Sequence, residues 1–275
     1  MSAGPVWIDG AVVEDAAARV SVEDRGFLLG HGAFETLRWT GGGILRWPAH
    51  RARLEGGLAY LGVERPAALD AVPAAAQSLA DRLGLAEAVA RLTVSAGAGG
   101  GGLDAPPGLA ARAVLTLKPR PAPPAAVSVR VVAGARRAGS PGERFKLSGY
   151  ADLIAARREA REAGADRAIV TGPAGALACA DCANLFWIEG RRILTPSLRA
   201  GALAGVTRAA LMETGRAGGL VMEEVEAGPG ALARADAAFM TNAVEGVTAI
   251  SAVNGAAKPA GHDLIARVRA LAAPS

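Results

Sequence analysis

A proline-rich stretch near the middle of the chain constrains the architecture more than any other feature. Residues 118–124 read Lys-Pro-Arg-Pro-Ala-Pro-Pro, and four prolines in seven residues favour an extended, semi-rigid connection. Hairpin and helical patterns lie on both sides of it. The sequence therefore predicts a two-domain α/β (α+β) protein with a small N-terminal domain at 1–118, a linker at 119–125 and a larger C-terminal domain at 126–275.

Local patterns place hairpins and helices along the chain. Residues 6–13, with Asp9-Gly10 at their centre, predict an opening β-hairpin. The alanine-rich segment 67–83 has a helical period, and Pro48 predicts the first turn of another helix. The glycine run at 99–102 lacks the strand-to-helix context of a nucleotide-binding motif, so we expect a flexible loop there.

Composition argues against a membrane protein. The chain has 275 residues, of which 51% are hydrophobic and 20% charged, as in a globular protein with a sizeable core. No apolar run approaches the roughly 20 residues that cross a bilayer. Residues 1–9 lack a basic segment followed by an apolar one, so no secretory signal is expected. We expect a cytoplasmic protein with no membrane partner.

The net charge of +4 raises the question of nucleic-acid binding. The arginines are dispersed, however, and aromatic residues make up only 4% of the chain, so the sequence has no basic stripe with interleaved stacking residues. A modest positive excess suits anionic small molecules equally well. We expect a small anionic substrate and no nucleic-acid partner, with a nucleic-acid-binding module as an alternative.

The cysteines do not indicate a metal site. Cys179 and Cys182 form a C-x-x-C pair, which supplies only two of the four ligands of a structural zinc site. His31, His50 and His262 offer no spaced pair to complete the set. We therefore expect no metal, and a turn of small residues around the two cysteines.

Lysine is scarce, which draws attention to each lysine present. Only three of the 30 basic Lys and Arg residues are lysines, namely Lys118, Lys146 and Lys258. A lysine retained where arginine would supply the charge indicates chemistry that needs a primary amine. Lys146 is the candidate, because a helical segment follows it and Tyr150 lies one helical turn away, whereas the other two have surface patterns.

Several motifs occur in order along the chain and resemble those of one family. They are Phe27–Arg38, His50–Leu54, the Lys146 segment, Gly175–Phe186, Leu203–Arg208 and Phe239–Ala243. The first contains Gly-His-Gly-Ala-Phe-Glu-Thr-Leu-Arg, and the second reads His-Arg-Ala-Arg-Leu. With their spacing from about Trp7 to Gly255, they resemble the class IV aminotransferases, the fold type IV enzymes that use pyridoxal 5'-phosphate (PLP). The resemblance implies a D-amino-acid aminotransferase-like fold and a homodimer.

The resemblance also implies roles for individual residues. Lys146 is implied to be catalytic and to hold PLP covalently, since only an amine can, and Arg53 to bind the coenzyme phosphate with its forked donors. Val206 and Thr207 are implied to bind the same phosphate at a helix start. The complete implied cofactor set is Arg53, Lys146, Tyr150, Cys179, Leu203, Val206, Thr207, Thr241 and Asn242. The residues implied to line the substrate pocket are Leu29, His31, Thr36 and Ala243.

One position departs strongly from the family pattern. The family's carboxylate that pairs with the PLP ring nitrogen falls 33 residues after the lysine, and Cys179 occupies that position. A carboxylate holds the nitrogen protonated and makes the ring a strong electron sink, whereas a thiol does this poorly. Asp181, two residues on, is an alternative acid. His31 replaces the family's usual Asp, and Leu29 replaces its aromatic residue.

Within the family, the chain looks most like the aminodeoxychorismate lyases. The likeness rests on total length and on three stretches, Phe34-Glu35-Thr36, residues 183–187 and Thr241-Asn242-Ala243. Such an enzyme uses PLP to eliminate pyruvate from 4-amino-4-deoxychorismate, leaving 4-aminobenzoate for folate synthesis. An aminotransferase acting on D- or branched-chain amino acids is the first alternative. A non-catalytic protein of the same fold is the second, because of Cys179.

Overall fold

The computed structural model describes residues 4–100, 102–136 and 139–272. Its helices and strands, in chain order, are β1 (Val6–Ile8), β2 (Ala11–Val13), α1 (Arg25–Leu29), β3 (Gly32–Thr40), β4 (Gly43–Ile44), α2 (Trp47–Tyr60), α3 (Val72–Leu83), β5 (Glu87–Ser95), β6 (Arg112–Pro119), β7 (Ala126–Val132), α4 (Ala151–Glu162), β8 (Arg167–Thr171), β9 (Leu177–Ala180), β10 (Asn184–Glu189), β11 (Arg192–Pro196), α5 (Val206–Ala217), β12 (Val221–Val225), α6 (Gly230–Arg234), β13 (Ala237–Asn242), β14 (Gly246–Val253), β15 (Ala256–Ala257) and α7 (Asp263–Ala272). Short 3-10 helices lie at Asp15–Ala17, Ala67–Ala71, Pro141–Arg144 and Leu198–Ala200.

The chain forms two compact units. The first contains the chain up to Pro121 together with Phe145–Gly149, and the second contains Ala122–Arg144 and the chain from Tyr150 onward. This division differs from the predicted one, which assigns all of 126–275 to the second domain. The difference arises because Phe145–Gly149 hydrogen-bonds to a strand of the first unit, a long-range pairing that no local pattern reports.

The predicted proline-rich linker lies between two strands. β6 ends at Pro119 and β7 begins at Ala126. The intervening residues are in neither a helix nor a strand, as expected where prolines remove backbone hydrogen-bond donors.

The first unit is built on a six-stranded antiparallel sheet in the order β2-β1-β6-β5-β3-β4. The predicted opening hairpin is confirmed. At its turn, Asp9 (φ 47°) and Gly10 (φ 106°) both adopt positive φ, which is why an Asp-Gly pair is favoured in a tight hairpin turn.

Helix α3 packs against the core of the first unit. Its buried residues recur at the spacing of one helical face, and they are Val72, Ala75, Ala76, Leu79 and Ala80. Gly84 ends the helix in the left-handed conformation (φ 64°), which glycine adopts without steric cost. The helix predicted within 67–83 is confirmed, except that its first residues, Ala67–Ala71, form a separate 3-10 turn.

The second unit is built on a nine-stranded mixed sheet. Its strand order is β12-β11-β10-β13-β14-β7-β8-β9, and β15 pairs with β14. In β10, Leu185 and Trp187 belong to one apolar cluster while Phe186 and Ile188 belong to another. Successive side chains of a strand point to opposite faces, so this continuous apolar run indicates a central strand buried on both faces.

Helices cover both faces of this second sheet. Residues of α5 and α7 complete the cluster around Phe186, and residues of α6 complete the cluster around Trp187. Phe186 stacks on Phe239 of β13 with ring centroids 5.0 Å apart. Helix α4 contributes Leu153, Ala156 and Ala160 to a further cluster that includes Cys179.

A buried arginine donates hydrogen bonds to the glycine-rich loop. Arg25, 1% exposed, donates from Nη1 to Gly100 O (2.8 Å) and Gly102 O (2.9 Å), and from Nη2 to Leu103 O (2.9 Å). Gly101 lies outside the described residues. Arg25 is the first residue of the short helix α1. In the described part of the chain, no helix combines the length and apolarity needed to span a membrane.

Candidate active site

The segment that carries Lys146 is fixed to the first strand residues of β3. Phe34 N–H donates to Lys146 O (2.9 Å) and Ser148 N–H donates to Gly32 O (3.0 Å). These bonds flank a bridge between Ala33 and Leu147. The backbone of the lysine is therefore held by sheet pairing, and its side chain is half-buried with Nζ 4.3 Å from the centroid of the Phe34 ring.

A buried charged cluster lies in the same unit and includes Arg53. Glu35, on β3, is fully buried and accepts a hydrogen bond from His50 Nδ1 (2.7 Å). Arg53 donates from Nε to one oxygen of Glu35 (2.7 Å) and from Nη2 to the other (2.6 Å). His50 and Arg53 lie three residues apart on α2, so both side chains leave the helix on one face. The Arg53 guanidinium is thereby oriented by a two-point contact.

The electrostatics of this cluster favour an ionised Glu35. Burial alone would raise the pKa of Glu35, but the hydrogen bonds and charges of His50 and Arg53 lower it below its ordinary value. The cluster is therefore an ion pair that is well satisfied although its carboxylate is out of contact with water. Since Arg53 presents its Nε–Nη2 edge to Glu35, that edge is not the one directed at a phosphate.

The residues predicted for the substrate pocket in this unit have different environments. Leu29, at the end of α1, is 44% exposed, and Thr36 is half-buried on β3. His31 is held on both ring nitrogens, since Arg25 Nε donates to Nδ1 (3.1 Å) and Nε2 lies 3.0 Å from Leu61 O. An imidazole that accepts at Nδ1 carries its proton on Nε2 and donates it to the Leu61 carbonyl.

In the second unit, the start of α5 presents hydrogen-bond donors. The N-cap residue is Gly205, which has no side chain to satisfy the first-turn N–H groups of Val206 and Thr207. A Cβ on Gly205 would lie 1.8 Å from Asn184 Oδ1, so only glycine fits there. Asn184 in turn donates from Nδ2 to Leu203 O (2.9 Å) and fixes the approach to the helix. Unsatisfied amides at a helix N-terminus form an anion site.

Thr241 and Asn242, at the end of β13, differ in whether their side-chain oxygens already have hydrogen-bond partners. Thr241 is 1% exposed, and no described group hydrogen-bonds to its Oγ1. A buried hydroxyl without a partner is costly unless a ligand supplies one. Asn242 Oδ1 instead accepts from the N–H groups of Val244 (2.9 Å) and Glu245 (2.7 Å) and caps the turn that contains Ala243. Its side-chain oxygen is therefore engaged locally.

Cys179 and Asp181 lie in different environments. Cys179, on β9, is buried, and its burial raises the pKa of the thiol. The Asp181 carboxylate accepts from Arg157 Nε and Nη2 (2.8 Å each) and from the Ala168 N–H (3.0 Å). These donors occupy both oxygens of Asp181, which therefore forms a structural ion pair with Arg157. The carboxylate of Asp181, the alternative acid for the ring nitrogen, is therefore already paired with other groups.

Tyr150, predicted to lie near the coenzyme ring, is half-buried at the N-cap of α4.

Residues 32–253 match the model of the amino-transferase class IV family. The chain is 32% identical to the aminodeoxychorismate lyase of Bacillus subtilis (strain 168), over 87% of this chain and 83% of that protein. It is 28% identical to the branched-chain-amino-acid aminotransferase of Pseudomonas aeruginosa, over 92% and 85% of the two chains. The crystal structure of the branched-chain aminotransferase of Thermoproteus uzoniensis with norvaline is 24% identical and aligns with a TM-score of 0.89, covering 98% of this chain and 93% of that one.

The chain belongs to the class IV aminotransferase family. It is a PLP-dependent enzyme of that class, either a lyase or an aminotransferase, and the predicted fold type IV architecture is confirmed. The non-catalytic alternative finds no support among these relatives, which are lyases and aminotransferases. The roles predicted for individual residues stay predictions.

The residues suit the phosphate group of PLP, but they lack the usual partner of its ring nitrogen. The amides of Val206 and Thr207, which lack a side-chain cap, are donors suited to a phosphate, as is the Thr241 hydroxyl, which has no partner among the described residues. At the position expected for the ring-nitrogen partner, Cys179 supplies a neutral thiol in place of a carboxylate. The start of α5 thus has donors that suit a phosphate, whereas the position predicted to face the ring nitrogen has a thiol.

The sequence did not single out two groups of residues around these sites. Glu35 and His50 fall inside the quoted motifs, and a carboxylate at an inward position of a strand rich in apolar residues is a signal of a buried ion pair. Arg25, Arg136 and Glu143 lie outside regular patterns. The two arginines donate mostly to backbone carbonyls, several of them distant in sequence, and Glu143 pairs with Arg136. No motif could report these contacts.

Proposed function

We propose that the protein is an aminodeoxychorismate lyase, which eliminates pyruvate from 4-amino-4-deoxychorismate and leaves 4-aminobenzoate, a precursor in folate synthesis. Identity is higher to the lyase of Bacillus subtilis, at 32%, than to the branched-chain-amino-acid aminotransferase of Pseudomonas aeruginosa, at 28%. The small anionic substrate expected from the net charge of +4 fits this reaction, since the substrate carries carboxylates.

The observation that carries this proposal is the neutral Cys179 at the predicted ring-nitrogen position. PLP supplies an electron sink for the electron pair left when the substrate loses the proton on its amino-bearing carbon. A thiol weakens that sink relative to a carboxylate. A lyase whose product ring becomes aromatic gains driving force from aromatisation, whereas an aminotransferase does not. The environment of Cys179 therefore favours the lyase.

In this proposal Lys146 would hold PLP through its amine until the amino group of the substrate displaces it, and the freed amine would then serve as the base. Its Nζ takes the proton from the amino-bearing carbon, the C–O bond to the three-carbon substituent breaks, and the ring electrons complete an aromatic system. The departing fragment gains a proton on its terminal carbon and leaves as pyruvate. The sheet pairing of Phe34 with Lys146 keeps the lysine backbone in place during these transfers.

The phosphate group is assigned to one cation and a set of neutral donors. Arg53 is held by Glu35 as a positioned cation, and the amides of Val206 and Thr207 with the Thr241 hydroxyl provide neutral donors. Leu203 and Tyr150 are assigned to the coenzyme ring, and Leu29, His31, Thr36 and Ala243 to the substrate. We also propose a cytoplasmic homodimer, for which light scattering would give twice the chain mass of 27.6 kDa.

The proposal is tested by product analysis without an amino acceptor. Protein loaded with PLP is incubated with 4-amino-4-deoxychorismate, and pyruvate and 4-aminobenzoate are measured together. Equal amounts of the two are expected from the wild type. Lys146→Ala is expected to form neither, while Lys118→Ala, an exposed lysine on β6, is the matched control that keeps the activity.

The alternative is an aminotransferase acting on D- or branched-chain amino acids, which the Pseudomonas aeruginosa relative supports. It predicts no pyruvate from 4-amino-4-deoxychorismate and glutamate formation from a branched-chain amino acid with 2-oxoglutarate. Formation of glutamate alone would replace the lyase assignment with this one.

A further inference from the structure

Cys179 pairs with Val170 across β8 and β9, and the N–H of Arg136 donates to the carbonyl of the next residue, Thr171 (3.3 Å). Arg136, 9% exposed, belongs to the irregular segment that follows β7. Ala135, the residue before it, packs against the apolar cluster that contains Cys179 and Val170. Arg136 and Cys179 therefore belong to one buried neighbourhood of the second unit.

The Arg136 guanidinium is fixed in that neighbourhood by three contacts. Its Nε donates to Gly201 O (2.8 Å) and its Nη2 donates to Glu143 O (2.8 Å). It also forms an ion pair with the Glu143 carboxylate. Gly201 lies two residues before Leu203, which is predicted to contact the coenzyme ring. The arginine is thus anchored to the backbone that leads to the predicted coenzyme site.

The charge balance around the thiol follows from these contacts. Burial raises the pKa of the Cys179 thiol, the Arg136 guanidinium lowers it, and the Glu143 carboxylate raises it to a smaller extent. The Asp181 carboxylate also raises the pKa of the thiol, and of these three charges the Arg136 guanidinium acts most strongly on it. A nearby positive charge disfavours protonation of any base placed there.

We propose that Cys179 and Arg136 together leave the PLP ring nitrogen unprotonated in this protein. The thiol offers at most a weak S–H donor to the nitrogen, and the anchored guanidinium opposes a second positive charge. The ordinary arrangement, in which a carboxylate stabilises a protonated nitrogen, is thereby reversed. This inference rests on the proposed binding of PLP at Lys146.

Glu143 is the carboxylate that could instead keep the ring nitrogen protonated, so its role separates two explanations of the site. In ours, Glu143 holds Arg136 and partly offsets its charge, so removing the carboxylate charge makes protonation of the ring nitrogen still less favourable. In the competing account, Glu143 itself replaces the missing acid and keeps the nitrogen protonated. The two accounts predict opposite states for the wild-type protein.

The test is nuclear magnetic resonance of protein loaded with PLP labelled with nitrogen-15 in the ring. A protonated pyridine nitrogen resonates upfield of an unprotonated one. We expect the unprotonated position for the wild type at neutral pH and an upfield displacement in Cys179→Glu, whose carboxylate would pair with the nitrogen. Cys182→Ser, a change of the exposed cysteine, is the matched control and is expected to leave the resonance in place.

Two further variants separate the contributions. Arg136→Gln is expected to raise the pH at which the ring nitrogen takes up a proton, and Glu143→Gln to leave the nitrogen unprotonated. An upfield wild-type resonance that moves downfield in Glu143→Gln would overturn the inference and assign the acid role to Glu143. An upfield wild-type resonance unaffected by that change would also overturn it.

Failure of this inference and failure of the proposed function give different results. Borohydride reduction followed by peptide mass analysis first shows whether PLP is attached to Lys146. Attachment with a protonated ring nitrogen overturns only the inference. No attachment overturns the PLP-binding role of Lys146, and with it both proposals.

Discussion

Arg53 and Arg136 are both largely buried arginines paired with a glutamate, but the two pairs are built differently. Arg53 uses Nε and Nη2 for the two oxygens of Glu35, a carboxylate that is fully buried. Arg136 divides its donors between two backbone carbonyls and the Glu143 carboxylate. The first pair depends on one carboxylate for its charge balance, whereas the second keeps carbonyl partners if the carboxylate is lost. Neutralising the glutamate should therefore have unequal effects.

The largest effect is expected for Glu35→Gln. Removing one partner of a buried ion pair leaves the other charge uncompensated, which costs about 3–5 kcal/mol of the free energy of unfolding. Denaturant unfolding measures this cost. Glu55→Gln is the matched control, because Glu55 pairs with Arg51 and Arg65 at the surface, where an ion pair contributes about 1 kcal/mol or less.

Equal costs for Glu35→Gln and Glu55→Gln would contradict this view of the Glu35 cluster. Such a result would mean that His50 and Arg53 find new partners when the carboxylate is neutralised. The contrast between the two arginines would then have no energetic basis.

A smaller loss of stability is expected for Glu143→Gln, about 1.5–3 kcal/mol, which is the usual value of a hydrogen bond to a charged group. The Gly201 and Glu143 carbonyls still accept from Arg136 in this variant, so its charge keeps two dipolar partners. Unfolding of the two glutamine variants under one set of conditions gives the comparison directly. A loss in Glu143→Gln that exceeds the loss in Glu35→Gln would reverse our ordering.

Thr241→Val is expected to affect PLP binding but not folding. Its hydroxyl is buried without a described partner, so replacing it leaves the stability of the protein without PLP unchanged or raises it by about 1 kcal/mol. Loss of a hydrogen bond to phosphate should weaken PLP affinity by about tenfold. Thr195→Val is the control, because Thr195 Oγ1 donates to Leu185 O (2.7 Å) and its loss should lower stability while PLP affinity is kept.

The smallest effect is the pH dependence of the Glu35 contribution. The pKa of Glu35 is lowered in the folded protein, so its stabilising contribution is complete above the unfolded pKa of 4.5 and is lost as pH falls through the lowered folded value. The difference in unfolding free energy between wild type and Glu35→Gln should be constant at neutral pH and narrow below pH 4.5. A difference that widens on acidification would contradict the direction of the pKa shift.

Much of the fold was accessible from the sequence where local chemistry decides it. The Asp9-Gly10 turn requires positive φ, and the period of α3 places five small or apolar residues on one face. The attachment of Phe145–Gly149 to the first unit was not accessible, because it depends on backbone pairing between residues more than a hundred positions apart. From length and spacing alone, Phe145–Gly149 would be assigned to the second unit, whose residues flank it in sequence.

The same contrast applies to the candidate site. Gly205, Val206 and Thr207 follow a motif whose chemistry is local, since a helix start without a side-chain cap exposes its amides. The engagement of Asp181 with Arg157 and the placement of Arg136 against Gly201 depend on tertiary contacts. Sequence spacing identified Cys179 as the unusual residue but not the charges that act on it.

The central claim is that a neutral Cys179 is sufficient for a reaction driven by aromatisation. The direct measurement is the rate of pyruvate release from 4-amino-4-deoxychorismate by wild type and Cys179→Glu, both saturated with PLP. The account predicts rates of the same order for the two proteins. A gain on the order of tenfold or more in Cys179→Glu, about 1.4 kcal/mol of transition-state stabilisation, would show that the thiol limits the chemistry and would contradict the account.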